Sequence, residues 1–261
     1  MINVRIIIAV YKNIPFLQKV LDSLEFQTYK NFDVAIVEDG DFPAMKAYIE
    51  NSSYTFPILH YTQEDLGFRK NRILNVALRD ATQELIVFID GDCILHPKFI
   101  ANYVKFYDPK VVLFAKRVDL DQKTSQLLLT TTQNNPSIWT MLKNKTKRIE
   151  DGIYLPFKPV KTTNSPTLIG CNMGIPLSAL KTINGFDEDY ENAGYGEDCD
   201  IEWRLQKAGY AFKNLKFHVI QYHLNHERPD REDETAISRE KLNAKKAIGQ
   251  VACINGLDKL A

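Results

Sequence analysis

The chain has 261 residues, 44% of them hydrophobic and 25% charged, which fits a soluble globular protein of one large domain or two small ones. Lys plus Arg and Asp plus Glu balance at 33 each, so no overall field favours nucleic acid or an anionic membrane surface; local basic clusters such as "KNKTKR" (143–148) remain as candidate contacts. The apolar run in "MINVRIIIAVYKN" is far shorter than the ~20 residues of a spanning helix and lacks the cleavage site of a signal peptide, so a cytoplasmic protein is expected.

Four cysteines (93, 171, 199 and 253) are scattered with no C-x-x-C pair, which suits a reducing compartment and argues against a disulfide framework or a thiolate zinc site. The glycosylation sequons at Asn51 and Asn144 then read as chance matches.

In chain order, "VRIIIAV" (4–10) reads as a buried strand and 15–27 as a helix, with Phe16, Leu17, Val20, Leu21 and Leu24 at helical spacing. A strand at 32–39 ends in acid. A helix near 43–51, a strand at 57–62, a basic helix at 68–81 and a strand at 84–90 complete a β-α-β-α-β series, which predicts a mostly parallel, doubly wound sheet. A strand at 111–118 follows. The stretch 121–165 is polar and weakly periodic and reads as a long mobile excursion with one short helix at 137–149. Order returns with "LIGCNMGIP", a helix at 177–183, the turn "NGFDE", a helix within 194–210, a strand over "FKNLKFHVIQYHL" and a charged tail helix at 231–248. The expected organisation is a first half over 1–118, a second half over 119–230 and a helical tail over 231–261.

Ligands of such sheets sit at the carboxyl ends of the strands, and two D-G-D tripeptides stand there, Asp39 to Asp41 and Asp90 to Asp92. A glycine between two carboxylates lets the backbone turn so that both reach one hard cation such as Mg²⁺ or Mn²⁺; a solvated turn is the competing reading. "GYGEDCDIEWR" packs Glu197, Asp198, Asp200 and Glu202 into six residues. Those acids could cap a helix, or they could serve a sugar site, where a base takes a hydroxyl proton and a ring such as Tyr195 or Trp203 stacks on a pyranose. His223 and His226 are both candidates to join Asp90 and Asp92 on a metal. Arg69, Lys70 and Arg72 open a helix, where anions are favoured.

These residues resemble the metal-dependent GT-A fold glycosyltransferases of family two, with a C-terminal region similar to that of the galactosyltransferases. The segment from "IIIAVYKN" to "VEDGD" looks like the opening of that family, which implies that Tyr11 stacks on uracil and that Asp39 binds the base. Asp90 to Asp92 stand where the family carries its D-x-D motif, implying that Asp92 with Asp90 holds Mn²⁺ or Mg²⁺. "EDLGFRKNRILNVAL" is similar to the donor-phosphate helix and nominates Arg69 and Lys70. "NGFDEDYENAGYGEDCDIEWRL" looks like the G-W-G-x-E-D element, which makes Asp198 the base and Glu197 its acceptor-binding neighbour, with Tyr195 standing where the family usually has Trp. The metal histidine maps to His223 or His226, and "HERP", which resembles the family's turn after the last strand, favours His226.

The resemblance implies an inverting transfer of a hexose or N-acetylhexosamine from a UDP-sugar to a hydroxyl of a saccharide or lipid-linked saccharide. Its setting would be surface polysaccharide synthesis in the cytoplasm, with peripheral membrane association at the inner face. Two other functions compete. A nucleotidyltransferase would need a Gly-rich loop after the first strand, and "AVYKNIPF" contains none; a non-catalytic sugar-binding module would not need Asp90, Asp92 and Asp198 intact.

Overall fold

The computed structural model describes residues 1–133, 135–192, 197–227 and 232–260. The elements run β1 (Val4–Val10), α1 (Ile14–Glu25), β2 (Phe32–Glu38), α2 (Pro43–Glu50), β3 (Ile58–Thr62), α3 (Lys70–Arg79), β4 (Leu85–Asp90), β5 (Cys93–Leu95), α4 (Phe99–Lys105), β6 (Val111–Phe114) and β7 (Val118–Asp119). They continue with α5 (Gln122–Thr130), α6 (Ile138–Lys143), a 3₁₀ turn (Ile149–Gly152), β8 (Met173–Pro176), α7 (Leu177–Thr182), α8 (Glu197–Lys207), β9 (Ala211–Asn214), β10 (Gln221–His223) and α9 (Glu232–Ala247).

Seven strands form the central sheet in the order β3-β2-β1-β4-β8-β6-β9. The first four are mutually parallel, and β8 is antiparallel to both its neighbours, β4 and β6. The sheet is buried on both faces, which is why β1 is apolar from Ile6 to Val10; Arg5, also buried, is paired with Asp33 of β2 at 2.9 Å. Ile6 and Ile8 belong to the same core cluster as Leu17, Val20 and Leu24 of α1, while Ile7 turns to the other face, into a cluster with Ile73, Leu74 and Leu78 of α3 and Ile201 and Leu205 of α8. The two expected halves share this sheet, since β8 and β9 come from the second.

Three expectations are revised. The run 111–118 breaks after Phe114, and β7 joins a separate three-stranded sheet ordered β5-β10-β7. The run 212–224 is two strands in different sheets, divided by a turn in which Phe217 has φ of 74°. The stretch 121–165 carries α5, α6 and the 3₁₀ turn. Asp121 caps α5 by accepting from the Thr124 N–H at 2.9 Å, and Leu128 and Met141 are buried against Val118, Ile220 and Tyr222 of the small sheet and its approach.

Candidate active site

Register places the first group of residues. β1 pairs Val10 with Glu38 of β2 and Ala9 with Asp90 of β4, so Tyr11, Asp39 and Asp90 emerge side by side at the carboxyl edge. All three line one cleft of about 580 Å³ together with Lys70, Asp92 and His226. Gly91 is required there by close approach rather than by an unusual φ: a Cβ on it would lie 2.6 Å from the Val10 side chain, and its N–H donates to the Ala9 carbonyl at 2.8 Å.

Tyr11 is 54% exposed and meets Phe42 edge-on at 5.7 Å. The Asp39 carboxylate accepts from Gln63 Nε2 at 2.6 Å and from the Arg69 backbone N–H at 2.7 Å, which ties the end of β2 to the start of α3. Lys70 donates to Asp90 Oδ1 at 2.9 Å. Burial alone would lower the Lys70 ammonium, but Asp90 and Glu197 outweigh it and hold the group above its ordinary value. Arg69 instead lines a separate cavity of about 300 Å³ with Arg72, Glu188 and Tyr190.

The candidate metal centre is Asp92, His223 and His226, whose ligand atoms all lie within 4.8 Å of one another. Asp92 Oδ2 is 3.3 Å from His223 Nε2 and 3.1 Å from His226 Nε2, so both histidines converge where the sequence left a choice between them. The small sheet makes this possible. Cys93 of β5 faces His223 of β10 across an antiparallel pair, and the Leu224 N–H donates to the Asp92 carbonyl at 2.9 Å. Asp90 stands apart from the three, held by Lys70 and lying 3.8 Å from Arg117 Nη1.

One carboxylate with two imidazoles fits a divalent ion, and Mn²⁺ better than Mg²⁺, which takes oxygen ligands almost exclusively. Burial would raise the Asp92 carboxyl, yet hydrogen bonds to the two imidazoles outweigh it and keep the group below the usual carboxylate range, in its ligating form. Behind His223, Asp119 Oδ1 lies 3.6 Å from Nδ1, and Arg117 Nε is 3.4 Å from the same oxygen. Sequence reasoning missed Arg117 and Asp119. The available signal was "KRVD" breaking an apolar strand at the sheet edge that carries the other ligands.

The first turn of α8 supplies the third group. Asp198 Oδ2 accepts from the Gly170 N–H at 3.2 Å, and Glu202 accepts from the Leu168 N–H at 2.7 Å, so both fix the segment that leads into β8. Burial lifts the Glu197 carboxyl to about 7 against the pull of Lys70, with Asp198 and Asp90 adding to the rise. Its Oε2 is buried without a hydrogen-bond partner among the described residues. Trp203 is half-buried on α8 and does not line the 580 Å³ cleft; Tyr195 lies outside the described residues. Asp200 belongs to the core, 2.6 Å from the Arg204 guanidinium with both side chains 1% exposed.

Two further residues escaped the sequence reading. Asn71 and Asn75, one turn apart on α3 and fully buried, donate to the carbonyls of Asp187 and Phe186 at 2.8 Å each. They bolt the "NGFDE" turn to the helix that presents Lys70.

A twisted α/β sheet with a cleft at its carboxyl edge and an Asp-His-His cluster on that cleft's rim defines the GT-A class of fold. The chain belongs to glycosyl transferase family 2, whose model matches residues 5–183, and a second model, the N-terminal domain of galactosyltransferase, matches 158–227. The hyaluronan synthase of Pasteurella multocida is 24% identical over 253 residues, spanning 90% of this chain and 25% of that protein. The glycosyltransferase GlyA of Streptococcus pneumoniae is 30% identical over 104 residues, 40% of this chain and 15% of that protein. A mannosyltransferase from Pyrobaculum calidifontis, solved with GDP-Man and Mn²⁺, superposes with a TM-score of 0.63 at 18% identity, covering 95% of this chain and 64% of that one. S. aureus TarS with UDP-GlcNAc gives 0.56 at 19% identity, covering 87% and 60%. The chain thus spans less than two thirds of each of these proteins.

Proposed function

We propose that the chain is an inverting, metal-dependent glycosyltransferase that moves a hexose or N-acetylhexosamine from a UDP-sugar to a hydroxyl of a saccharide acceptor. The observation that carries this reading is the convergence of Tyr11, Asp39, Lys70, Asp90, Asp92 and His226 on one cleft. Tyr11 and Asp39 offer a ring and a fixed carboxylate to a nucleobase. Lys70 offers a cation to the diphosphate, with Asp90 orienting it. Asp92, His223 and His226 would hold Mn²⁺ or Mg²⁺, and the chemistry such an ion supplies when bound is neutralisation of charge on the departing diphosphate.

The acceptor oxygen attacks the anomeric carbon from the face opposite the diphosphate, the carbon–oxygen bond to UDP breaks, and the hydroxyl proton passes to Asp198. Configuration inverts. Glu197, poised near neutrality, hydrogen-bonds the acceptor sugar beside it; Trp203 and Tyr195 are assigned to the same acceptor side. A second reading makes Glu197 the base, favoured by its raised pKa and its unpartnered Oε2. Production of a surface polysaccharide at the cytoplasmic face of a membrane is the setting proposed. Among the described residues no helix is long and apolar enough to cross a membrane.

The test is calorimetric titration of UDP, a panel of UDP-sugars and GDP-mannose, with Mn²⁺ and with EDTA, on the wild type and Asp92→Ala. Metal-dependent UDP binding lost in the variant supports the reading, and the tightest sugar nominates the transferred group. Binding of no nucleotide under any condition overturns it, and donor binding without Mn²⁺-dependent hydrolysis or transfer moves the weight to a sugar-binding module.

A further inference from the structure

The stretch from Gln122 to Ile149 holds five cations, Lys123, Lys143, Lys145, Lys147 and Arg148, and no acid, in a chain whose charges balance overall. Arg148 is paired with Asp151 at 2.6 Å. The four lysines are exposed, and none makes an ion pair among the described residues. A site with this much uncompensated positive charge attracts an anionic surface.

Beside the charge lies an apolar face that the described residues leave exposed. In α6, Ile138, Leu142 and Trp139 fall within an arc of about 100° at 3.6 residues per turn, and Lys143 borders that arc. The three are 40%, 53% and 77% exposed, while Met141 on the other side is 2% exposed and packed with Val118, Ile220 and Tyr222. A helix of six residues is too short to span a bilayer. An exposed Trp with aliphatic neighbours and flanking lysines suits instead the headgroup layer, where the indole sits at the interface and lysine stems run along apolar surface with their charge in water.

The position in the fold gives the patch a use. Met141 and Leu128 rest on the small sheet, and that sheet also carries His223 and begins next to Asp92. A surface held through α6 is therefore held through the same support as the candidate metal centre.

We propose that α6 and the basic turn after it, residues 138–148, dock the protein on an anionic lipid bilayer. The charge complementarity and the Trp-Leu-Ile face select this occupant, and the inference stands independently of the donor and acceptor assignments. It places the contact on α6 rather than on the tail helix α9, whose Lys245 is engaged by Asp187 and Asp189.

The experiment is flotation of the full chain with vesicles of phosphatidylcholine alone and of phosphatidylcholine mixed with phosphatidylglycerol, paired with Trp fluorescence. The expected result is binding to the anionic vesicles only, a blue shift absent from Trp139→Phe, and a loss of about fivefold in affinity for each lysine neutralised in the series Lys143→Gln, Lys145→Gln and Lys147→Gln. All these side chains are exposed, and circular dichroism checks that each variant is folded; a Trp139→Ser, Leu142→Ser pair reads the apolar contribution separately. Failure to bind anionic vesicles, or binding unchanged in both the lysine and the apolar variants, overturns the proposal. So does capture by a soluble anionic polymer with no vesicle-dependent shift of Trp139, which would make the partner a polyanion.

Discussion

His223 and Asp119 face each other at 3.6 Å, Nδ1 to Oδ1, on the side of the imidazole opposite the nitrogen that lies 3.3 Å from Asp92. A carboxylate on that side favours the tautomer with its proton on Nδ1, which leaves Nε2 to ligate. Asp119→Ala is therefore expected to weaken Mn²⁺ binding by about 10–100-fold while the protein stays folded. Calorimetric titration of Mn²⁺ checks this; wild-type affinity in the variant would remove Asp119 from the metal centre.

The two carboxylates at the start of α8 should separate kinetically. Asp198→Asn is expected to lower turnover by about 10²–10⁴-fold with donor affinity unchanged, since it removes a proton acceptor and leaves the nucleotide cleft alone. Glu197→Gln is expected to act mainly on the Michaelis constant for the acceptor. Steady-state rates with each variant decide the assignment, and the reverse pattern would make Glu197 the base.

Much of this arrangement was legible in the sequence because burial on both sheet faces leaves apolar runs, as in 6–10 and 85–89, and because acids at the ends of such runs fall on the ligand edge. The metal histidines were half legible. His223 and His226 could be named as candidates, but a strand pairing between residues 93 and 223 is long-range and no local pattern announces it. The strand break before Phe217 was hidden for a different reason: a left-handed residue there is neither Gly nor Asn, so the usual turn signal is missing. Asp119 looked like any acid after a short strand, and only its place behind His223 gives it a role. In 121–165 the Asp121 cap was present to be read, but the helices are too short for their periodicity to stand out.

Glu197 gives stability a pH dependence whose sign follows from its raised pKa. An unfolded chain ionises this carboxyl near 4.5, the folded chain near 7, so between those values the folded state holds more protons. The contribution is present in full below about 4.5 and is lost as pH rises through about 7, amounting to at most about 3 kcal/mol. Glu197→Gln should flatten this slope, so that the variant gains on the wild type as pH rises. Chemical denaturation across that range measures the difference, and parallel curves for the two proteins would mean that Glu197 titrates normally.

Arg204 carries the last prediction, because it fastens the acidic helix to the core. Its guanidinium lies 2.6 Å from Asp200 and donates to the carbonyls of Ile183 and Gly185 at 2.7 and 2.8 Å, and it is 1% exposed. Asp200 is pushed up by burial and held down by Arg204, so removing the cation strands a buried acid. Arg204→Met is expected to cost about 3–5 kcal/mol of folding stability. Adding Asp200→Asn should return part of that loss, because the stranded charge is then gone while the two carbonyls remain unsatisfied. Urea denaturation of the wild type, both single variants and the double variant measures the coupling. A cost below about 1 kcal/mol for Arg204→Met would place the anchoring of α8 in its apolar contacts, Ile201 and Leu205, rather than in this ion pair.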